Sequence, residues 1–137
     1  MTYAGDVTPE QAWQALSDDP RAVLVDVRTR AEWTWVGVPD LAPLAKELVT
    51  IEWSRFPEGT VNERFAEELR AAGVGPDQRV YFLCRSGARS VSAAEAATRA
   101  GWLQSHNVLD GFEGPHDARR HRTVAGWKVA GLPWVQG

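Results

Sequence analysis

Apolar and polar positions along the chain follow two periods, one typical of buried strands and the other typical of helices. Apolar runs predict strands at residues 22–27, 46–53, 80–83 and 107–109. The run at residues 22–27 is nearly continuous, which is typical of a strand that helices cover on both faces. The strand pattern therefore predicts a sheet in the middle of the molecule.

Helical patterns lie before and between these strands. Thr8 is predicted to cap a first helix, with Pro9 at its first position and Gln11 completing a capping box. Asn62 is predicted to cap a second helix, and the alanine-rich residues 90–100 predict a third. This alternation predicts an α/β fold, with a central, mainly parallel sheet and helices on both faces.

Length and composition narrow the class of protein. The 137 residues can bury a real core, and we expect a single domain over residues 1–137. A hydrophobic content of 44%, a charged content of 24% and a net charge of -3 are typical of a soluble globular protein with no general attraction to nucleic acid. We expect no membrane partner and no signal peptide, because no run approaches the ~18 apolar residues of a membrane span and the first residues lack a basic and apolar pattern.

A single cysteine directs the candidate chemistry. Cys84 can form no disulfide within the chain, and a reducing compartment keeps its thiol available, which favours the cytoplasm. It lies between the predicted strand at residues 80–83 and the helix at residues 90–100, where open α/β sheets carry their binding sites. The residues of this candidate site loop are Cys84, Arg85, Ser86, Gly87, Ala88, Arg89 and Ser90.

These residue types fit a reactive thiolate beside an anion site. A helix N-terminus and neighbouring arginines both lower the pKa of a thiol, so we expect Cys84 to ionise readily. Gly87 permits a tight turn with inward-facing backbone N–H groups, while Arg85 and Arg89 add charge that suits an oxyanion. The structural alternatives are a buried cysteine that only fills space and arginines that only face solvent.

The site loop resembles the active-site loop of the rhodanese family, the thiosulfate sulfurtransferases. Residues 24–28 followed by Glu32 resemble the family's strand motif, which has apolar residues, Asp-Val-Arg and a downstream Glu. Residues 131–133 resemble the family's C-terminal ending. The resemblance covers residues 22–134, nearly a whole single-domain member, and implies a rhodanese-like fold.

The resemblance also implies a function. Cys84 would take a sulfane sulfur from thiosulfate or another persulfide donor, carry it as a persulfide, and pass it to a thiol, to an acceptor protein or, in an assay, to cyanide. Asp26, Arg28 and Glu32 would support the site, with Asp26 hydrogen-bonded to the loop or to its arginines. The structural alternative is that Asp26, at the end of its strand, caps the next turn, and the two roles can coexist. No cofactor is required. Many members have a Gly-His-Ile-Pro-Gly-Ala motif where residues 36–41 have no histidine, so no substrate preference is carried over from them.

Two other functions stay open at the level of sequence. A phosphatase or arsenate reductase would use the same nucleophile, but such phosphatases place five residues between the cysteine and the arginine. Four residues separate Cys84 from Arg89, and the shorter loop suits one sulfur atom better than a phosphate group. A regulatory or sensor module would keep the fold and oxidise at Cys84 without transferring sulfur.

Residues 113–124 form a basic segment that departs from the family pattern and contains His116 and His121. A solvated surface loop is the simplest interpretation. The alternative is that the segment folds over the strand ends and contributes charge for an anionic donor or an acceptor protein. We predict no metal site, because the three histidines lack the close spacing of known ligand motifs.

Overall fold

The computed structural model describes residues 3–54, 59–85, 88–114 and 126–136. The strands are β1 (Gly5–Val7), β2 (Val23–Asp26), β3 (Val38–Pro39), β4 (Val49–Thr50), β5 (Val80–Leu83), β6 (Ser105–Val108) and β7 (Trp134–Val135). The α-helices are α1 (Pro9–Asp18), α2 (Arg30–Trp35), α3 (Phe65–Ala71) and α4 (Ala88–Arg99), and a short 3-10 helix spans Ala42–Leu44.

Five strands form a parallel sheet in the order β1-β6-β5-β2-β4. A separate antiparallel pair joins β3 to β7. In the centre of the parallel sheet, Asp26 at the end of β2 lies opposite Leu83 at the end of β5. The next residues stay together, since the Val27 N–H donates to the Leu83 carbonyl at 2.8 Å. The carboxyl ends of these two strands therefore place residues 26–28 beside Cys84.

Each face of the sheet has its own apolar core. On one face, Phe82 packs with Phe65 of α3 and with alanines of α4. On the other face, Tyr81 and Leu83 pack with Leu16 of α1. The small alanine side chains let α4 lie close to the sheet, which fixes the position of its N-terminus. The predicted α/β fold, with a parallel sheet and helices on both faces, is confirmed.

Local sequence signals predicted several elements well. Thr8 caps α1 through the expected capping box with Gln11, and Pro9 is the first helical residue. The strand predicted at residues 80–83 is β5. The strand predicted at residues 46–53 is shorter, because pairing with β2 extends over two residues of β4.

Three predicted boundaries were wrong. The helix α4 begins at Ala88, two residues before the predicted start. Asn62 does not cap α3, which begins at Phe65 after Arg64; its side chain instead accepts from the Arg64 N–H at 3.0 Å, within the preceding turn. The strand predicted at residues 107–109 is β6, which begins two residues earlier and ends one residue earlier, and β1 had not been predicted. Among the residues described here, no helix is long and apolar enough to cross a bilayer.

Candidate active site

Cys84 directly follows β5 and lies at the boundary between the core and a polar cluster. Its side chain is 1% exposed and packs in the core that contains Val27 and Phe65. On the polar side, its Sγ forms a hydrogen bond with the Ser90 Oγ at 3.2 Å. Ser90 is the third residue of α4, so the end of a strand and the first turn of a helix bring the sulfur and the hydroxyl together. Sequence analysis placed both residues in the site loop.

The backbone at the start of the site loop is held by the segment that follows β6. The Phe112 N–H donates to the Cys84 carbonyl at 2.8 Å. The N–H groups of Glu113 and Gly114 both donate to the Arg85 carbonyl, at 2.9 and 3.0 Å. Because the carbonyls of Cys84 and Arg85 are engaged on this side, the orientation of the peptide units that lead into the loop is fixed.

Gly111 makes this close approach possible. Its φ is +59°, and a Cβ at this position would lie 2.3 Å from the Cys84 carbonyl oxygen and 2.7 Å from the Arg85 carbonyl oxygen. Neither the conformation nor the space suits a larger residue. Sequence analysis missed this role, although the Asp110-Gly111 pair after an apolar run indicates a turn.

Arg89 and Glu32 form a bidentate ion pair beside the site loop. The Arg89 Nη1 and Nη2 donate to the two Glu32 carboxylate oxygens at 2.6 and 2.9 Å. Glu32 is itself held by Thr29, which caps α2 through a capping box. Burial alone would raise the pKa of Glu32, but hydrogen bonds from Arg89 and Thr29 outweigh it and lower the pKa from its ordinary value of 4.5 to about 2.

The Glu32 pair gives a prediction on pH-dependent stability. The pKa of Glu32 is lower in the folded state than in the unfolded state. The ion pair therefore stabilises the folded state fully above pH 4.5, and this stabilisation is lost as the pH falls through about 2. At pH 7, Glu32→Gln is expected to lower the free energy of unfolding by about 1.5–3 kcal/mol. Urea unfolding at several pH values should show this difference shrinking between pH 4.5 and pH 2.

The matched control is Glu67→Gln. Glu67 pairs with Arg64, and both side chains are about two-thirds exposed or more, at 67% and 74%. An exposed pair of this kind contributes about 0–1 kcal/mol, so its loss should have little effect at any pH. A Glu32→Gln effect no larger than that of Glu67→Gln would contradict the prediction.

Asp26 and Arg28 form a second ion pair, which is fully buried. The Arg28 Nη2 donates to the Asp26 Oδ2 at 2.6 Å and to the Gly37 carbonyl at 2.7 Å. The Arg28 guanidinium also lies over the ring of Phe112, 4.3 Å from its centroid. The Phe112 N–H donates to the Cys84 carbonyl. Phe112 therefore connects the buried ion pair, through the Arg28 guanidinium over its ring, to the backbone at the start of the site loop.

The three predicted supporting residues have different partners from those expected. Asp26 was expected either to hydrogen-bond the site loop or its arginines, or to cap the turn after its strand. Its carboxylate pairs with the Arg28 side chain and accepts from the Arg28 backbone N–H at 3.1 Å, so the structure shows the turn-capping role. The arginine of the loop, Arg89, is held by Glu32 from α2. The hydrogen bonds to Glu32 raise the pKa of Arg89 most, and electrostatic interactions with Cys84 and Asp26 raise it by smaller amounts. The positive charge thus lies near the sulfur but has an acidic partner.

The remaining predicted residues are only partly described. Ala88 begins α4, and Arg85 is exposed. Ser86 and Gly87, whose N–H groups were expected to form the anion cradle, lie outside the described residues. Most of the basic segment also lies outside them, including both of its histidines. Within the described ranges, no group of three His, Cys, Asp or Glu side chains is arranged to hold a metal ion.

Sequence analysis also missed a polar contact behind Ser90. The Ser90 hydroxyl donates to the Asn107 Oδ1 at 2.5 Å, and the Asn107 Nδ2 donates to the Asp6 Oδ1 at 3.1 Å. Asn107 lies on β6 and is 2% exposed. The signal in the sequence was that Asn107 is a polar residue in a predicted strand, where burial requires hydrogen-bond partners.

Comparisons with known proteins identify the family of this chain. The family model described as the STR4 middle domain matches residues 4–137. A crystal structure of Rv0390 from Mycobacterium tuberculosis is 58% identical, covers 98% of this chain and 99% of its own, and superimposes with a TM-score of 0.90.

Some curated relatives carry functional or domain names. A protein of Allochromatium vinosum named a sulfurtransferase is 28% identical, and the match covers 95% of this chain and 94% of that protein. The chloroplastic rhodanese-like domain-containing protein 4 of Arabidopsis thaliana is 26% identical over 96% of this chain, which corresponds to 26% of the plant protein. With a family match along nearly its whole length, this chain belongs to the rhodanese-like family and has a sulfurtransferase-type fold.

Proposed function

We propose that the protein is a sulfurtransferase that carries a sulfane sulfur as a persulfide on Cys84. The observation that carries this proposal is the position of the Cys84 sulfur at the end of β5, 3.2 Å from the Ser90 hydroxyl at the start of α4. The N-terminus of α4 and the Arg89 charge favour a sulfur anion at this position. The relative from Allochromatium vinosum, named a sulfurtransferase, supports the same activity.

The first half-reaction loads the sulfur. The Cys84 thiol loses its proton, and its sulfur attacks the sulfane sulfur of thiosulfate. The new S–S bond forms as the S–S bond of thiosulfate breaks, and sulfite leaves with the electron pair and takes up the proton. The products are a Cys84 persulfide anion and hydrogen sulfite, so atoms and charge balance. The loop arginines and the helix N-terminus would stabilise the anions on both sides of this step.

The second half-reaction unloads the sulfur. A nucleophilic acceptor attacks the outer sulfur of the persulfide, and the Cys84 thiolate leaves. Cyanide becomes thiocyanate in this step, whereas a thiol or an acceptor protein becomes a persulfide. A covalent intermediate that forms with one substrate and is consumed by another predicts ping-pong kinetics.

The environment of Cys84 favours a small anionic donor. The side chain is 1% exposed and packs against the core, so the thiol is poorly placed for direct exchange with a large disulfide. No cofactor enters either half-reaction. We propose a single-domain enzyme with no nucleic acid or membrane partner. Because the resting thiol must stay reduced, we place the enzyme in a reducing compartment such as the cytoplasm.

Intact-protein mass spectrometry tests the proposal. Incubation with thiosulfate should add the mass of one sulfur atom, and cyanide should then remove it with release of thiocyanate. Cys84→Ser is the matched control, since it changes one atom and should keep the fold. No gain of sulfur in the wild type, or an equal gain in Cys84→Ser, would refute the persulfide on this residue.

The same samples separate the other functions that the sequence left open. An aryl phosphate or arsenate should be turned over by a phosphatase or an arsenate reductase but not by a sulfurtransferase. A sensor module should show an oxidised Cys84 after peroxide treatment but no added sulfur after thiosulfate. Sulfur loading without phosphate hydrolysis is the expected result.

A further inference from the structure

The Glu32 carboxylate lies at the edge of the site loop and is held from two sides. Its two oxygens accept from the Arg89 Nη1 and Nη2 at 2.6 and 2.9 Å. Its Oε1 also accepts from the Thr29 N–H and from the Thr29 hydroxyl, each at 3.1 Å. Because both groups bind the same carboxylate, the orientation of Glu32 is fixed, and the bidentate geometry fixes the Arg89 guanidinium as well.

This ion pair lies beside the reacting sulfur. Arg89 directly precedes Ser90, whose Oγ is 3.2 Å from the Cys84 Sγ. The side chains of Arg89 and Glu32 are 26% and 19% exposed, so solvent screens their charges only in part. A donor that reaches the sulfur therefore meets the negative charge of Glu32 together with the positive charge of Arg89.

Glu32 is ionised in any assay near neutral pH. The hydrogen bonds from Arg89 and Thr29 lower its pKa to about 2 against the opposing effect of burial. The potential that an incoming anion meets is therefore less positive than two loop arginines would make it. Arg85 and the N-terminus of α4 still favour a sulfur anion at Cys84, and within the described ranges the Arg85 side chain has no acidic partner.

We propose that Glu32 is a specificity-determining residue, whose charge selects sulfane-sulfur donors that carry one negative charge, such as organic persulfides and thiosulfonates, over doubly charged donors such as thiosulfate. Each negative charge on the donor is repelled by Glu32, so the second charge carries a second penalty. Thiosulfate stays a substrate, at a disadvantage set by its extra charge. This inference rests on the proposed function and narrows its class of donor.

Two donors that differ by a single charge make the test specific. Methanethiosulfonate has a methyl group where thiosulfate has one of its oxygens, so it keeps the sulfane sulfur and loses one negative charge. The Cys84 sulfur attacks the sulfane sulfur of either donor, and the S–S bond of the donor breaks. From methanethiosulfonate, methanesulfinate leaves with the electron pair and the thiol proton passes to water. The Cys84 persulfide anion is the same product in both reactions.

Intact-protein mass spectrometry gives kcat/KM for loading of the sulfur by each donor. The quantity compared between variants is the donor ratio, which is kcat/KM for thiosulfate divided by kcat/KM for methanethiosulfonate. Differences in the intrinsic reactivity of the two donors cancel when the donor ratio of a variant is divided by that of the wild type. A purely structural loss slows both donors together and leaves the donor ratio unchanged.

Glu32→Gln is expected to raise the donor ratio about fivefold, because it removes the charge and keeps the shape. Glu32→Asp keeps the charge, so its donor ratio should stay within about twofold of the wild type even where the shorter side chain slows both donors. Glu67→Gln removes the same charge from an ion pair on α3 in which Glu67 is 67% exposed, and should leave the donor ratio unchanged. An unchanged or lower donor ratio in Glu32→Gln would overturn the proposal, and so would an equal rise in Glu32→Asp or Glu67→Gln.

Arg89→Gln approaches the same question from the other charge and guards against misfolding of Glu32→Gln. It leaves the Glu32 carboxylate without its countercharge, and the donor ratio should fall about fivefold. The double variant removes both charges and should return the donor ratio to within about twofold of the wild type. If Arg89→Gln left the donor ratio unchanged or raised it, charge at this pair would not govern the choice of donor.

The same measurements separate this inference from the proposed function. Sulfur loading from both donors, with one donor ratio throughout the variants, would leave Cys84 as the sulfur carrier and reject the role of Glu32. No loading of the wild type from either donor would refute the proposed function, and the inference with it. The expected result is loading from both donors, with donor ratios that rise in Glu32→Gln and fall in Arg89→Gln.

Discussion

Arg28→Met is expected to lower the free energy of unfolding by about 3–5 kcal/mol, one of the largest effects of any single substitution in this chain. The side chains of Arg28 and Asp26 are both 0% exposed. Three hydrogen bonds join the guanidinium to the carboxylate, at 2.6–3.1 Å. Removing the cation leaves a carboxylate in the core without its countercharge. Urea unfolding at pH 7 measures the loss as a lower transition midpoint.

A double variant separates the loss of the pair from the loss of packing. In Asp26→Leu with Arg28→Met, no charge is left unpaired, and much of the stability should return. Recovery should be incomplete, since the Gly37 carbonyl still loses the Arg28 donor that it has at 2.7 Å. If the double variant were less stable than Arg28→Met, the ion pair would not be the source of the effect.

Residues close together in sequence were the easier ones to predict. The capping box of Thr8 and Gln11 uses residues three positions apart, and the Val80–Leu83 strand is a continuous apolar run. By contrast, β1 is three residues long and forms through pairing with β6, about 100 positions away. Its own sequence, Gly5-Asp6-Val7, favours no regular structure, so the tertiary partner decides its conformation.

The same distinction explains the outcome for the site. Cys84 and the loop that follows were predicted because a lone cysteine beside two arginines is a local pattern. The partners of those residues come from distant parts of the chain: Glu32 lies 57 positions from Arg89, and Asn107 lies 17 positions from Ser90. Such partners depend on strand order and register, which short-range patterns do not specify.

Gly111→Ala is expected to impair the site more than the small size of the change suggests. The new Cβ would lie 2.3 Å from the Cys84 carbonyl oxygen and 2.6 Å from the carbonyl carbon of Arg85. Both are backbone atoms, so the clash can be relieved only by moving the chain that leads into the site loop. This movement would also strain the hydrogen bond from the Phe112 N–H to the Cys84 carbonyl. A displacement of about 1 Å at a reacting group can cost about 100-fold in rate, and we expect a fall of this order in kcat/KM for thiosulfate and cyanide.

Gly131→Ala is the matched control for backbone strain. Gly131 also has a positive φ, at +77°, but a Cβ there would meet no atom within 4 Å. Both variants should lose about 1–2 kcal/mol of stability from the left-handed backbone, and Gly111→Ala should lose roughly 1–3 kcal/mol more from the clash. Activity should distinguish them further, with Gly131→Ala within about twofold of the wild type, because the added Cβ has open space and need not displace any neighbouring backbone. Equal losses of kcat/KM in the two variants would show that contact between Gly111 and the Cys84 backbone does not position the sulfur.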